Sequence, residues 1–96
     1  MTGADFHGAY NIVPHVREVA DLVVTGTSWT KSEQIKDCDV PVFYNPDPSE
    51  HPSLDSVITH KANIINKAKL TLFYESQSEQ ASTLSILCPN CKVVKV

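Results

Sequence analysis

AKLTLFYESQSEQASTLSILCPNCKVVKV, residues 68–96, carries the clearest periodicity in the chain and decides how the rest is read. Leu70, Leu72 and Tyr74 alternate with Lys69 and Thr71; after a polar break at residues 76–80, Leu84, Ile86 and Cys88 alternate with Thr83 and Ser85. Alternation with a period of two marks a half-buried strand, and two such runs joined by a short polar segment read as an antiparallel pair. Phe73 and Leu87 interrupt the polar sides, so the second face is covered as well. Phe73 and Tyr74, being consecutive, point to opposite faces and cannot form one stacking platform.

Upstream of this pair, Ser53 opens a helix in which Leu54, Val57, Ile58, Ile64 and Ile65 share one stripe. Asp55 in its first turn and Lys67 near its end suit the helix dipole. Before the helix, Val40, Val42 and Tyr44 alternate with Pro41 and Phe43. Pro41 has no ladder donor, which assigns this strand to a sheet edge. Edge strand, helix and hairpin make a β-α-β-β core, with a right-handed crossover if its first two strands are parallel neighbours. Residues 45–52, NPDPSEHP, hold three prolines and read as a stiff exposed loop.

Toward the N-terminus the pattern weakens. Thr30 and Glu33 have the spacing of a capping box ahead of a helical turn over residues 31–36, and Trp29 sits in the turn before it. Val16, Val19, Ala20 and Val23 fall at helical spacing behind Pro14, although the valines keep a strand over residues 19–25 as the alternative. Residues 1–13 show no period and read as an irregular arm laying Phe6 and Tyr10 on the core. The expected fold is one α+β domain over residues 1–96, a three- to four-stranded mostly antiparallel sheet with two helices on one face.

A chain of 96 residues buries roughly 60–70% of its unfolded surface, so the core is small. Hydrophobic residues at 42% and charged residues at 20% are those of a folded chain. The longest aliphatic run, residues 22–24, is far too short to span a membrane. The opening MTGADFHGAY lacks a basic stretch followed by an apolar one, and three cysteines do not make a disulfide framework. An intracellular, non-secreted setting, cytoplasm or nucleus, is expected. The net charge of −3 is uneven: residues 1–55 hold three basic and nine acidic groups, residues 56–96 five lysines against Glu75 and Glu79. Mutual complementation within one fold explains this better than an anionic partner, since five lysines without arginine are a thin footprint for nucleic acid.

Cys88-Pro-Asn-Cys91 is the sharpest local motif. Two thiolates at this spacing supply half of a structural zinc site; the other half would have to come from Cys38 with one of His7, His15, His51 or His60. A redox pair is disfavoured because Cys91 runs into the strand-like KVVKV instead of a helix. Cys38, between Asp37 and Asp39, is a poor nucleophile unless His60 or another base folds against it, and His60 is expected to face water or the helix flank. No phosphate loop, dinucleotide turn, serine elbow or paired-histidine motif is present, so enzymatic function is unsupported and no cofactor other than that zinc is expected.

The reading is therefore of a non-enzymatic interaction module. Lys92, Val93, Val94, Lys95 and Val96 form an open sheet edge that pairs with a protein partner or a second copy, and Pro46, Pro48 and Pro52 supply a rigid contact. A small nucleic-acid-binding domain using the five lysines of the C-terminal half, of which Lys67, Lys69, Lys92 and Lys95 are near Phe73 and Tyr74, with a zinc at Cys88 and Cys91, is the alternative, and a cysteine-dependent enzyme the third.

Overall fold

A computed structural model describes residues 1–26, 35, 38–49 and 51–96. The cap built on Thr30 and Glu33, the turn at Trp29 and the helical turn over residues 31–36 lie outside the described residues, apart from Ile35, which is buried.

Among the described residues five strands, all parallel, form one sheet: β1 (Thr2–Asp5), β2 (Leu22–Val24), β3 (Val42–Phe43), β4 (Leu72–Glu75) and β5 (Lys92–Lys95), in the order β3-β2-β1-β4-β5. The α-helices that accompany them include α1 (Pro14–Val19), α2 (Leu54–Lys67) and α3 (Ser78–Leu87). From β1 the chain winds outward to β2 and β3, then α2 carries it back past β1 to β4 and on to β5. A sheet wound in both directions with one crossover hand must place its helices on both faces. Two cores result. Leu22, Val24 and Phe73 meet Ile58, Ala62 and Ile65 of α2 and Leu84 of α3 on one face. Ala4, Val23 and Tyr74 meet Val16 of α1, Phe6 and Tyr10 on the other.

The mostly antiparallel sheet is thus overturned, and so is the placement of both helices on one face. Residues 78–87 are helical, not the second arm of a hairpin. Ala81, Leu84 and Cys88 are buried at intervals of three and four, whereas Ile86, which completed the apparent alternation, is 79% exposed and Leu87 48%. Two periods shared Leu84 and Cys88, and the helical one is the one that packs. With a helix between them, β4 and β5 run parallel, Lys92 N–H donating to Thr71 C=O at 2.9 Å and Val96 N–H to Glu75 C=O at 2.9 Å.

Residues 1–13 are not an arm either. TGAD forms the central strand, paired on both sides. Small residues hide this role because the packing around them leaves no room for larger ones: a Cβ on Gly3 would stand 2.5 Å from Leu70 Cδ1 and 3.2 Å from Phe73 Cδ1. Phe6 and Tyr10 do lie on the core, from a single wide helical turn (Phe6–Tyr10) closed by Asn11 N–H to Phe6 C=O at 2.8 Å. The helix begun at Pro14 ends at Val19, and the valine-rich remainder is β2, the alternative that β-branching favoured. The proline-flanked strand is β3 and lies at an edge, as its missing donor requires. It and β4 are not neighbours, because α2 crosses over β2 and β1. Ser53 caps α2, its hydroxyl accepting Ser56 N–H at 3.1 Å. No described helix is long and apolar enough to cross a membrane.

Candidate functional site

The carboxyl ends of β1 and β4 each close on an acidic residue, Asp5 and Glu75. These strands are neighbours whose following segments depart to opposite faces, so a crevice opens between them. Into it, from α2, comes Lys61, 2% exposed. Its Nζ donates to Asp5 Oδ1 at 2.9 Å, Glu75 Oε1 at 2.8 Å and Gln80 Oε1 at 2.8 Å. An ammonium has three protons, and all three are taken.

The second oxygen of each carboxylate is also committed. Asp5 Oδ2 accepts Gly8 N–H at 2.9 Å, capping the turn after β1. Glu75 Oε2 accepts Ser76 N–H at 3.0 Å and Gln77 N–H at 3.1 Å, the amides that lead into α3. Room for the lysine stem comes from Gly26, where a Cβ would lie 2.9 Å from Val57 Cγ1 and 3.2 Å from Lys61 Cε. Among the described residues no buried side-chain polar atom lacks a partner. The crevice encloses about 330 Å³, and His7, Gly8, Ser76 and Gln77 stand with the acidic pair along its walls.

This centre has two properties. Lys61, Asp5 and Glu75 together carry one net negative charge when ionised. The amides of Gly8, Ser76 and Gln77, which lead away from the two strands, are bonded to the protein's own carboxylates. The site therefore disfavours anions and suits a neutral polar or cationic group.

No family model, curated protein or solved structure matches the chain.

A second concavity, of about 780 Å³, lies outside β3 against the flank of α2. Val42, Phe43, Tyr44, Pro46 and Ile64 give it an apolar wall, with Asp47 and Asp55 near the start of α2 and Lys67 at its end. Ser56 Oγ–H donates to Asp47 Oδ2 at 2.6 Å; that bond, with Ser49 N–H to Asp47 Oδ1 at 2.9 Å, holds the carboxyl below its ordinary range. His60 is buried beside this groove instead of facing water, its Nε2 3.1 Å from Phe43 C=O. Burial is the main reason its pKa is depressed.

The residues singled out from sequence are dispersed. Lys92 and Lys95 are exposed on edge strand β5, with Val93, Val94 and Val96 half-buried. Pro46 and Pro48 are exposed and Pro52 half-buried, in the loop between β3 and α2 at the opposite side of the sheet. Cys88 and Cys91 are buried in the first core, their thiols directed at Ala62 C=O and Lys92 C=O at 3.9 and 3.7 Å. Burial raises both thiol pKa values, that of Cys91 to about 11. Among the described residues no three His, Cys, Asp or Glu side chains are grouped to hold a metal. Cys38 packs against the second core, while His60 belongs to the helix over the first, so the two are not brought together.

Sequence reading passed over Asp5, Lys61, Glu75 and Gln80. One signal was present: Lys61 falls on the buried stripe of α2, one turn from Val57 on one side and from Ile65 on the other. A lysine there must find an anion.

Proposed function

We propose that the chain is a small-molecule-binding domain that takes a polar, neutral or cationic ligand in the crevice between β1 and β4. The carrying observation is the saturated Lys61 centre at the point where the winding of a parallel sheet reverses. Doubly wound sheets bind ligands outside the carboxyl ends of their strands at that point. Burying three ionised groups there costs several kcal/mol per ion before pairing, by order of magnitude, a cost that pure packing does not require. Side chains at the mouth, from Ser76 and Gln77, offer hydrogen bonds to hydroxyl or amine groups.

The test is a titration of the isotopically labelled chain with sorbitol, ethanolamine and inorganic phosphate, followed by amide chemical shifts. Sorbitol or ethanolamine should move residues 5–8 and 75–80, and Gln77→Ala should weaken the effect. Shifts there with phosphate alone, or none with any of the three, would overturn the reading.

Pairing through β5 is a second reading, supported by its position at the end of the sheet. Removing residues 92–96 should then lower oligomer mass or partner affinity. Nucleic-acid binding has less support than the composition suggested, because Lys61 is withdrawn from the surface. Lys67, Lys69, Lys92 and Lys95 remain exposed, and oligonucleotide affinity that falls with added salt is its test.

A further inference from the structure

The two edges of the sheet are built differently. β5 carries exposed Lys92 and Lys95, so a strand added there meets two cations. β3 has no charged residue, and Phe43 is 38% exposed. Its ladder to β2 runs through Pro41 C=O, which accepts Val23 N–H at 2.9 Å, and Phe43 C=O, which accepts Thr25 N–H at 3.1 Å. Backbone groups alternate in direction along a strand, so those of Val42 and Tyr44 face away from β2, and no described residue pairs with them. The groove of about 780 Å³ lies on this side.

Its polarity is ordered along α2. Asp47 and Asp55 stand at one end and Lys67 at the other. Asp55 and Lys67 are twelve residues apart on the helix, about 18 Å at the helical rise, the length of roughly five or six residues of extended chain.

We infer that the β3 edge accepts an extended peptide segment of a partner protein, added as a further strand, with apolar side chains in the groove, a basic residue beside Asp47 and Asp55 and an acidic residue beside Lys67. Main-chain bonds to Val42 and Tyr44 supply affinity, and the charges at the two ends supply direction. This site is separate from the β1–β4 crevice, so either assignment stands without the other.

The probe is a blocked peptide of alternating valine and threonine with lysine at one end and glutamate at the other, made in both sequence directions. Added to the full labelled chain, one direction should shift and protect the amides of Val42 and Tyr44 and shift residues 55–67. Lys67→Glu, at an exposed position, should weaken that peptide by about fivefold, the upper range for one exposed ion pair, and a peptide with its glutamate changed to lysine should regain the loss. N-methylation of alternate amides in the peptide should abolish binding without touching the protein. Shifts confined to β5 or to the crevice, binding unaffected by N-methylation, or no shift at millimolar peptide would overturn the inference. So would a mass that rises with protein concentration through the β3 edge, because the occupant would then be a second copy.

Discussion

One helix, α2, lines both concavities, and its two flanks differ in the burial and pairing of their charges. Val57 and Lys61 face the crevice, where polar atoms are buried, paired and close to the sheet centre. Thr59, Asn63 and Lys67 line the groove, where the helix side chains are polar and exposed, the facing wall from β3 is apolar and the sheet reaches its edge. The crevice ties its charges to the stability of the whole fold, because they cannot be changed one at a time. The groove can change its residues and leave the fold standing.

The largest effect that would break this contrast is at Lys61. Lys61→Met removes the cation and leaves Asp5 and Glu75 buried together, which should cost about 3–5 kcal/mol in urea unfolding. Asp5→Asn and Glu75→Gln added to it should recover much of the loss. A cost below about 1 kcal/mol for the single change would mean that the centre is hydrated and mobile, and would align it with the groove.

A smaller effect is expected at His60, beside the groove but buried. Its folded pKa lies below the ordinary 6.5 because burial disfavours the imidazolium. The unfolded chain therefore takes up the proton first as pH falls. Stability from the neutral ring is complete above pH 6.5, declines as pH drops through 6.5 and is lost below the folded value. Gln in place of His60 should remove this component from a pH series of melting temperatures; an unchanged slope would show that other groups set it.

On the groove flank, Asn63→Ala and Lys67→Glu should each change stability by no more than about 0.5 kcal/mol. Larger losses would make the groove part of the folding core. Smallest of all, a chelator should leave the melting temperature unchanged, since Cys88 and Cys91 pack as neutral thiols. A fall of several degrees would restore a structural metal.

Legibility in the sequence tracks how far a signal is local. Helix α2, with Ser53 as its cap and Asp55 and Lys67 at its ends, is readable because periodicity, cap and dipole agree. The edge position of β3 is readable from Pro41. Residues 84–88 fit two periods at once, and nothing within the segment says which set of side chains will find a partner. β1 is invisible for a different reason: Gly3 and Ala4 are chosen for what must fit beside them, Leu70 and Phe73 far along the chain.

By itself the chain determined the long amphipathic helix, the proline-limited edge strand, the opposite faces of Phe73 and Tyr74 and the absence of familiar catalytic motifs. Those follow from backbone sterics and side-chain period, which act over a few residues. Only tertiary structure decided that every strand runs the same way and that Asp5, Lys61, Glu75 and Gln80 share one buried centre. That meeting depends on which strands are neighbours and on the low-dielectric cavity they enclose, and neither exists until the winding is complete.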